Sequence, residues 1–450
     1  MIKAHARINR NCLLFFLLFT TFSVSTIPLS AQRNSSDSLL DHPTLPAVIQ
    51  YALKRQPQIQ LALVDEQTTA LEIKSKLADW YPQLNFGYQL QHNFKVQTSV
   101  IGGNPVRLGV NNTSALQFTA SQLIFNRDVL LARRTRTDVL DLSRQQTENI
   151  RVNLAAVVSK AFYDVLTTRQ QLQVSDENIA RLERSLKDAK AQFDAGIKDK
   201  TDYKRATIAL NNAKATKSAT ADLLTAKQEV LKTLINYPPA ATLDILYDSL
   251  QLEKEVDLDL AASPDFSKRV EFTILETQRK LAEANILYNK WSYLPSLSAN
   301  GAYNYNFLNN DFGKLYSTSY PNSYAGLTLS VPIFQGGKRK FNLEQARWEL
   351  KRIDLDKVRL SNQFSSEYSS AMAGYKANYA NYQAQKENMT LAQEVYDVIN
   401  LQYRSGIKTY LEVISAETDL RTSRINYFNA LYEVLSSKID VLKSMGALTY

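Results

Sequence analysis

Side chains able to do covalent or metal chemistry are scarce in this sequence, and those present lack the neighbours that chemistry needs. Beyond the first thirty-one residues the histidines are His42 and His92 and there is no cysteine. A zinc or thiol site therefore has too few ligands, and no metal, cofactor or catalytic residue is expected. Gly336-Gly337-Lys338 lacks both the spacing and the following Ser or Thr of a phosphate-binding loop. Carboxylates are abundant, but they lie on helical stretches interspersed with Lys and Arg, as in Arg181 to Lys190, which is the pattern of solvated faces. The same interspersion argues against a nucleic-acid partner, although the formal charge is +9.

The elements that carry these residues begin with a leader. Lys3, Arg7 and Arg10 precede the apolar run Cys12 to Phe19, and small residues follow to Ala31. This reads as a signal peptide over residues 1–31, since the run is shorter than the roughly 20 apolar residues of a spanning helix. Removal of the leader lowers the charge from +9 to +6 and takes away Cys12, the only cysteine.

Proline and glycine then partition the chain. No proline lies between Pro105 and Pro238 and none follows Pro332; because proline costs about 3 kcal/mol inside a helix, these gaps are where long helices can form. The two gaps are copies. Gln192-Phe193-Asp194-Ala195-Gly196-Ile197-Lys198 matches Gln402-Tyr403-Arg404-Ser405-Gly406-Ile407-Lys408, and Tyr81-Pro82-Gln83-Leu84 matches Leu294-Pro295-Ser296-Leu297, so a duplication is expected. Each unit reads helix, strand, strand, long helix, turn, helix. The first unit covers 32–235, with strands near 83–94 and 114–125 and a helical hairpin over 126–235. A connector follows over 236–264. The second unit covers 265–450, with strands near 296–307 and 324–334 and a hairpin over 338–444.

Helix lengths constrain the packing. Asn126 to Ala195 would extend about 105 Å at 1.5 Å per residue, whereas the returning segment Asp199 to Ile235 covers about half of that. The missing half is expected from Thr44 to Asp79 stacked end to end on it, and the second unit repeats the arrangement. Apolar residues spaced by seven (Leu172, Ile179, Leu186, Phe193; Tyr382, Met389, Tyr396, Tyr403; Val413, Leu420, Tyr427, Val434, Val441) predict left-handed supercoiled pairs. Gly196 and Gly406 suit the turns, where a positive φ is needed.

The strands alternate with period two. Leu84, Phe86, Tyr88 and Leu90 are interleaved with Gln83, Asn85, Gly87, Gln89 and Gln91, and Leu297 to Phe307 repeats the pattern with Ser298, Asn300, Asn304 and Asn306. Such alternation suits a half-buried soluble sheet or a lipid-facing barrel strand with a wet lumen. The leader, together with Trp80, Tyr81, Trp291 and Tyr293 as candidate interface aromatics beside the strands, favours the barrel. Four strands cannot close in lipid, because an open edge leaves backbone groups unpaired, so several chains must share one barrel. The fold expected is mainly α with a membrane β-barrel.

On these features the mature chain resembles the TolC-type outer membrane efflux protein family. The carriers are Leu45-Pro46 to Pro57, the Pro-x-Leu strand entries at Pro82 and Pro295, Ser330-Val331-Pro332-Ile333-Phe334-Gln335-Gly336-Gly337, and the turns at Gly196 and Gly406. The resemblance implies a homotrimer with a 12-stranded β-barrel on a 12-helix α-barrel, spanning the outer membrane and extending into the periplasm of a Gram-negative-type bacterium. It implies a passive conduit of tripartite efflux or type I secretion, partnered by a periplasmic membrane fusion (adaptor) protein and an inner-membrane pump. It places the periplasmic gate on Asp202, Tyr403, Lys408 and Glu412, and adaptor docking on Gly196, Ile197, Gly406 and Ile407. A second acidic gate position of the family is Ser415 here. Two carboxylates of a ring at Glu412 would repel by about 4 kcal/mol at 4 Å and an effective dielectric near 20. The competing readings are a trimeric outer-membrane-anchored coiled-coil adhesin or stalk that conducts nothing, against which the duplicated strand pairs argue, and a soluble periplasmic scaffold.

Overall fold

The structure is a computed structural model that describes residues 40, 43–197, 199–245, 249–259 and 264–448. The expected leader, with Cys12, lies outside the described residues, as does Lys198.

The chain opens with α1 (Leu45–Arg55) and α2 (Pro57–Ala78). The single helix expected over Thr44 to Asp79 is thus divided. Gln56 is extended, with φ −62° and ψ 123°, because the ring of Pro57 crowds the residue before it out of the helical region. Strand β1 (Gln83–His92) follows, then β2 (Thr98–Ile101), β3 (Asn104–Arg107) and β4 (Asn112–Phe125). The long helix α3 (Arg127–Asp194) starts where the Asn126 side chain accepts the Asp128 amide at 2.6 Å, and α4 (Lys200–Ile235) returns from the Asp199 cap. A short α5 (Ser249–Lys254) lies in the connector, so that segment is not wholly irregular. The second half comprises a 3-10 turn (Phe266–Lys268), α6 (Val270–Trp291), β5 (Ser296–Asn309), a 3-10 turn (Phe312–Ser317), β6 (Ser319–Ser330), α7 (Lys338–Arg404) and α8 (Tyr410–Ser444).

The four long strands form one antiparallel sheet in the order β1-β4-β5-β6. Residues facing each other across the sheet give two dissimilar surfaces. On one face Phe86 is opposite Phe118, which is opposite Tyr303, and Leu84, Leu90, Leu116, Tyr305, Leu327 and Leu329 lie in the same alternation. The other face carries Gln83, Asn85, Gln89, Gln117, Thr119, Asn300, Asn304, Asn322 and Thr328. There the amides bond one another, with Asn304 Nδ2 donating to Asn322 Oδ1 at 2.8 Å and Asn300 Nδ2 to Thr328 Oγ1 at 3.0 Å.

Strand β6 differs from the expected 324–334. It begins at Ser319, continuing its pairing with β5 as far as Phe307, and ends at Ser330. Pro332 has no amide to extend the ladder, while Pro321 sits inside β6 opposite Tyr305, tolerated because β6 is an edge strand. The β2–β3 hairpin was not foreseen. Its signal is Gly102-Gly103, both at positive φ (60° and 86°), the pair that closes a two-residue hairpin.

The helices repeat the order of the strands they continue. Near the sheet the neighbours run α2-α3-α6-α7, and at the far end α4-α3-α8-α7. Between the two levels α1 packs on both α3 and α4, and Asn236 Nδ2 donates to Arg55 O at 3.0 Å where the stacked helices meet. The returning stripe Val413, Leu420, Tyr427, Val434 and Val441 is buried along its whole length, at roughly 1.5–3 kcal/mol for each large side chain. Ile245, Leu252 and Val256 of the connector are buried, as are Phe162 of α3, Leu231 of α4 and Leu431 and Leu435 of α8. Glu253 fastens the connector by accepting from Tyr427 Oη (2.5 Å) and Lys386 Nζ (2.7 Å).

Candidate gate and docking tip

The ends of α3 and α7 farthest from the sheet are built alike. Gly196 (φ 73°) and Gly406 (φ 77°) take the left-handed conformation. Around them the Ile197 amide donates to Gln192 O and the Gly196 amide to Phe193 O, each at 2.9 Å, and Ile407 and Gly406 repeat both bonds on Gln402 and Tyr403. This is the Schellman closure, which satisfies carbonyls that the helix end would leave unpaired. It also leaves Ile197 71% and Ile407 72% exposed at the two turns.

The four expected gate residues fall around these turns, but not as one bonded set. Lys408 Nζ donates to Glu412 Oε1 at 2.6 Å. The second Glu412 oxygen accepts the Thr409 amide and hydroxyl, both at 2.9 Å, and the Thr409 Oγ1 accepts the Glu412 amide in return. Glu412 is therefore the third helical residue of a capping box that starts α8, a role the Thr-x-x-Glu spacing signals. The Lys408 ammonium first, then the Thr409 amide and hydroxyl, pull its carboxyl down to about 2. Tyr403 is half-buried, donates to Gln192 Oε1 at 3.4 Å and packs its ring 5.8 Å from that of Tyr410. Burial raises its phenol, and the nearby Asp202 carboxylate adds to that. Asp202 lies in the first turn of α4, capped by Asp199.

Behind the turn a group that sequence reading passed over ties the two hairpins together. Tyr410, Ala189 and Ala206 form a buried cluster joined by Leu186, Tyr403 and Ile414. Tyr410 is pushed up to about 12 by burial, and its hydroxyl accepts from Ser185 Oγ at 3.1 Å. Two turns along α8, buried Glu417 accepts from Arg181 Nε of α3 at 3.3 Å. Burial raises the Glu417 carboxyl despite that guanidinium. Arg181 Nη2 and the Asn178 side-chain oxygen are buried without partners. Nothing in the local sequence distinguishes this Glu from its solvated neighbours; only the approach of α3 to α8 does.

At the other end of the helices the expected interface aromatics lie where strand meets helix. Tyr81 and Tyr293 are exposed, and Trp80 and Trp291 half-buried. Tyr293 also carries structure, because the Arg339 guanidinium lies 4.9 Å from its ring centroid. Among the described residues no group of His, Cys, Asp and Glu is placed to hold a metal, and no helix is long and apolar enough to cross a membrane.

A sheet with one lipophilic and one amide-lined face, continued by helices about 100 Å long, has the form expected of a channel subunit. The profile of the family described as "Outer membrane efflux protein" matches residues 48–237 and 269–447, one match on each half. The chain belongs to this family: it is an outer-membrane protein and the channel component of a tripartite efflux or type I secretion system. It is 22% identical over 434 residues to the outer membrane protein TolC of Vibrio cholerae, covering 94% of each chain. It is 23% identical to the probable efflux pump outer membrane protein TtgC of Pseudomonas putida, over 91% of this chain and 84% of the relative. The crystal structure of the outer membrane protein VceC from Vibrio cholerae superposes with a TM-score of 0.70 at 14% identity, over 89% of this chain and 96% of the other.

Proposed function

We propose that three copies of this chain join into one closed β-barrel and one helical tunnel, a passive conduit through which an energised partner expels solutes. The observation that carries this reading is the four-stranded sheet with both outer edges, on β1 and β6, unpaired among the described residues. In the hydrocarbon layer each such edge would leave amides and carbonyls without partners, and closure by further copies removes both edges. The helical layer supports it. Its flanking helices carry exposed apolar stripes, Leu61, Val64 and Leu71 on α2 and Phe341, Trp348, Leu355 and Val358 on α7, as expected where copies meet side by side. The amide face of the sheet would then line the pore and the Leu/Phe/Tyr face would meet lipid.

In this assembly the two halves of the chain are duplicated units. Asp202, Tyr403, Lys408 and Glu412 form the constriction at the periplasmic end. Gly196, Ile197, Gly406 and Ile407 present the surface to which a periplasmic adaptor docks, linking the channel to an inner-membrane pump; the exposed isoleucines supply the apolar contact. No catalytic step is assigned to it.

Planar-bilayer conductance of the purified mature protein, with its mass in detergent measured alongside, tests the reading. A small, steady conductance from a three-chain species is expected. A detergent-independent monomer without conductance would overturn barrel, trimer and conduit together, and a detergent-bound trimer that never conducts would favour the stalk.

A further inference from the structure

The segment between β6 and α7 has a form that the channel role does not use. Val331, Ile333 and Phe334 follow the last residue of the strand, and Ile333 is 92% and Phe334 86% exposed. Val331 and Ile333 follow the odd-numbered spacing of the apolar sheet face, on which Leu327 and Leu329 are also exposed, and Phe334 stands next to Ile333. Gly336 and Gly337, at φ 56° and 85°, turn the chain into the helix immediately behind them, so the two apolar side chains stand proud of the junction. The base is fixed. Arg339 Nη2 donates to Pro332 O at 2.6 Å and Ile333 O at 3.2 Å while its guanidinium covers the Tyr293 ring. A Cβ on Gly337 would come within 3.1 Å of the Phe341 ring, so the turn is tightly seated.

Charge lies directly behind the wedge. Lys338 and Lys340 are exposed and form no ion pair among the described residues. The first turn of α7 contains no acidic residue, although a carboxylate there would be favourable and cations are not. Continuity with the lipid-facing sheet surface and the unmet positive charge together point outward, to an apolar phase bordered by anions.

We propose that Ile333 and Phe334 insert among the acyl chains of the periplasmic leaflet while Lys338 and Lys340 bind the phosphate of an anionic phospholipid. Arg339 is the positioning residue that fixes the wedge. A neighbouring copy is the competing occupant. The last turn of α2 and the turn after it, which a copy would bring to this edge, hold Lys76 and Asp79, already paired with each other at 3.2 Å; the next carboxylate on α2, Glu72, lies about two turns back from Asp79. The proposal rests on the lipid-facing reading of the apolar sheet face.

The test places the full mature protein in nanodiscs of phosphatidylethanolamine with a minor fraction of phosphatidylglycerol and counts retained phosphatidylglycerol by native mass spectrometry. Mass in detergent and bilayer conductance are measured on the same preparations, and these read the channel assignment separately. Phosphatidylglycerol should be retained by the wild type. Retention should fall roughly ten- to thirtyfold in Lys338→Gln/Lys340→Gln, since each surface Lys supplies about one kcal/mol toward anionic lipid. It should survive in Lys338→Arg/Lys340→Arg and fall in Ile333→Ser/Phe334→Ser, with mass and conductance unchanged throughout. Equal retention of both lipids by the wild type would overturn the proposal. So would loss of the three-chain mass in the Gln or Ser variants, which would make the wedge a contact between copies.

Discussion

Glu412 and Glu417 lie five residues apart on α8, and their surroundings drive them in opposite directions. Glu412 accepts from Lys408 and Thr409 and is held near 2, so its contribution to stability is complete above the ordinary carboxylate range and is lost as pH falls toward 2. Glu417 is raised by burial, so its contribution has the reverse sign, present at low pH and lost as pH rises through its folded value. Thermal unfolding followed from pH 2 to 7 should show Glu412→Gln flattening the acid limb and Glu417→Gln flattening the decline on the other side. Glu417→Ala should cost about 3–5 kcal/mol, because it leaves the Arg181 guanidinium buried and unpaired. At the proposed gate, Glu412→Gln, Lys408→Ala and Asp202→Ala should each raise single-channel conductance by loosening the tip. Unchanged conductance in all three would remove these residues from the gate and leave the channel intact.

At the scale of elements, the three glycine closures separate conformational strain from crowding. Gly196 and Gly406 have positive φ, but an added Cβ would meet nothing within 4 Å. Ala at either should cost about 1–2 kcal/mol through the left-handed backbone alone. Gly446, after α8, has φ 68° and would place a Cβ 3.1 Å from the Arg269 backbone nitrogen. Gly446→Ala should therefore shift the thermal midpoint further than Gly406→Ala, and equal shifts would show that the Arg269 segment yields. The turns could be found by reading, because glycine after a long helical run has one common physical reason. The break between α1 and α2 was equally signalled by Pro57. The β2–β3 hairpin and α5 were not foreseen: short elements have few residues over which a period can be seen.

For the whole molecule, the two sheet faces make different demands. Phe118→Arg puts a guanidinium on the apolar face and removes the ring packed 5.0 Å from Phe86. It should cost about 2–4 kcal/mol if it lies near the bilayer midplane and lower the yield of folded protein in lipid. Asn304→Arg, on the amide face, should fold and shift the reversal potential toward anion selectivity. Reversed outcomes would mean that the faces have been assigned inside out.

Much of the architecture follows from the order of residues alone, because helix and strand are written in local periods. The period of two in Leu84 to Leu90 and the period of seven in Val413 to Val441 need no knowledge of what lies opposite. Proline-free lengths set the helix lengths, and the Gly-Ile turn recurs at the end of each long helix. Which side chains meet across helices is not written locally. Only the approach of α3 to α8 turns Glu417 from one carboxylate among many into the buried partner of Arg181. Only the fold places Arg339 over Tyr293 and leaves Ile333 and Phe334 standing free. Burial and charge pairing depend on neighbours more than two hundred residues away, as Arg181 and Glu417 show, and such neighbours are chosen by packing rather than by spacing.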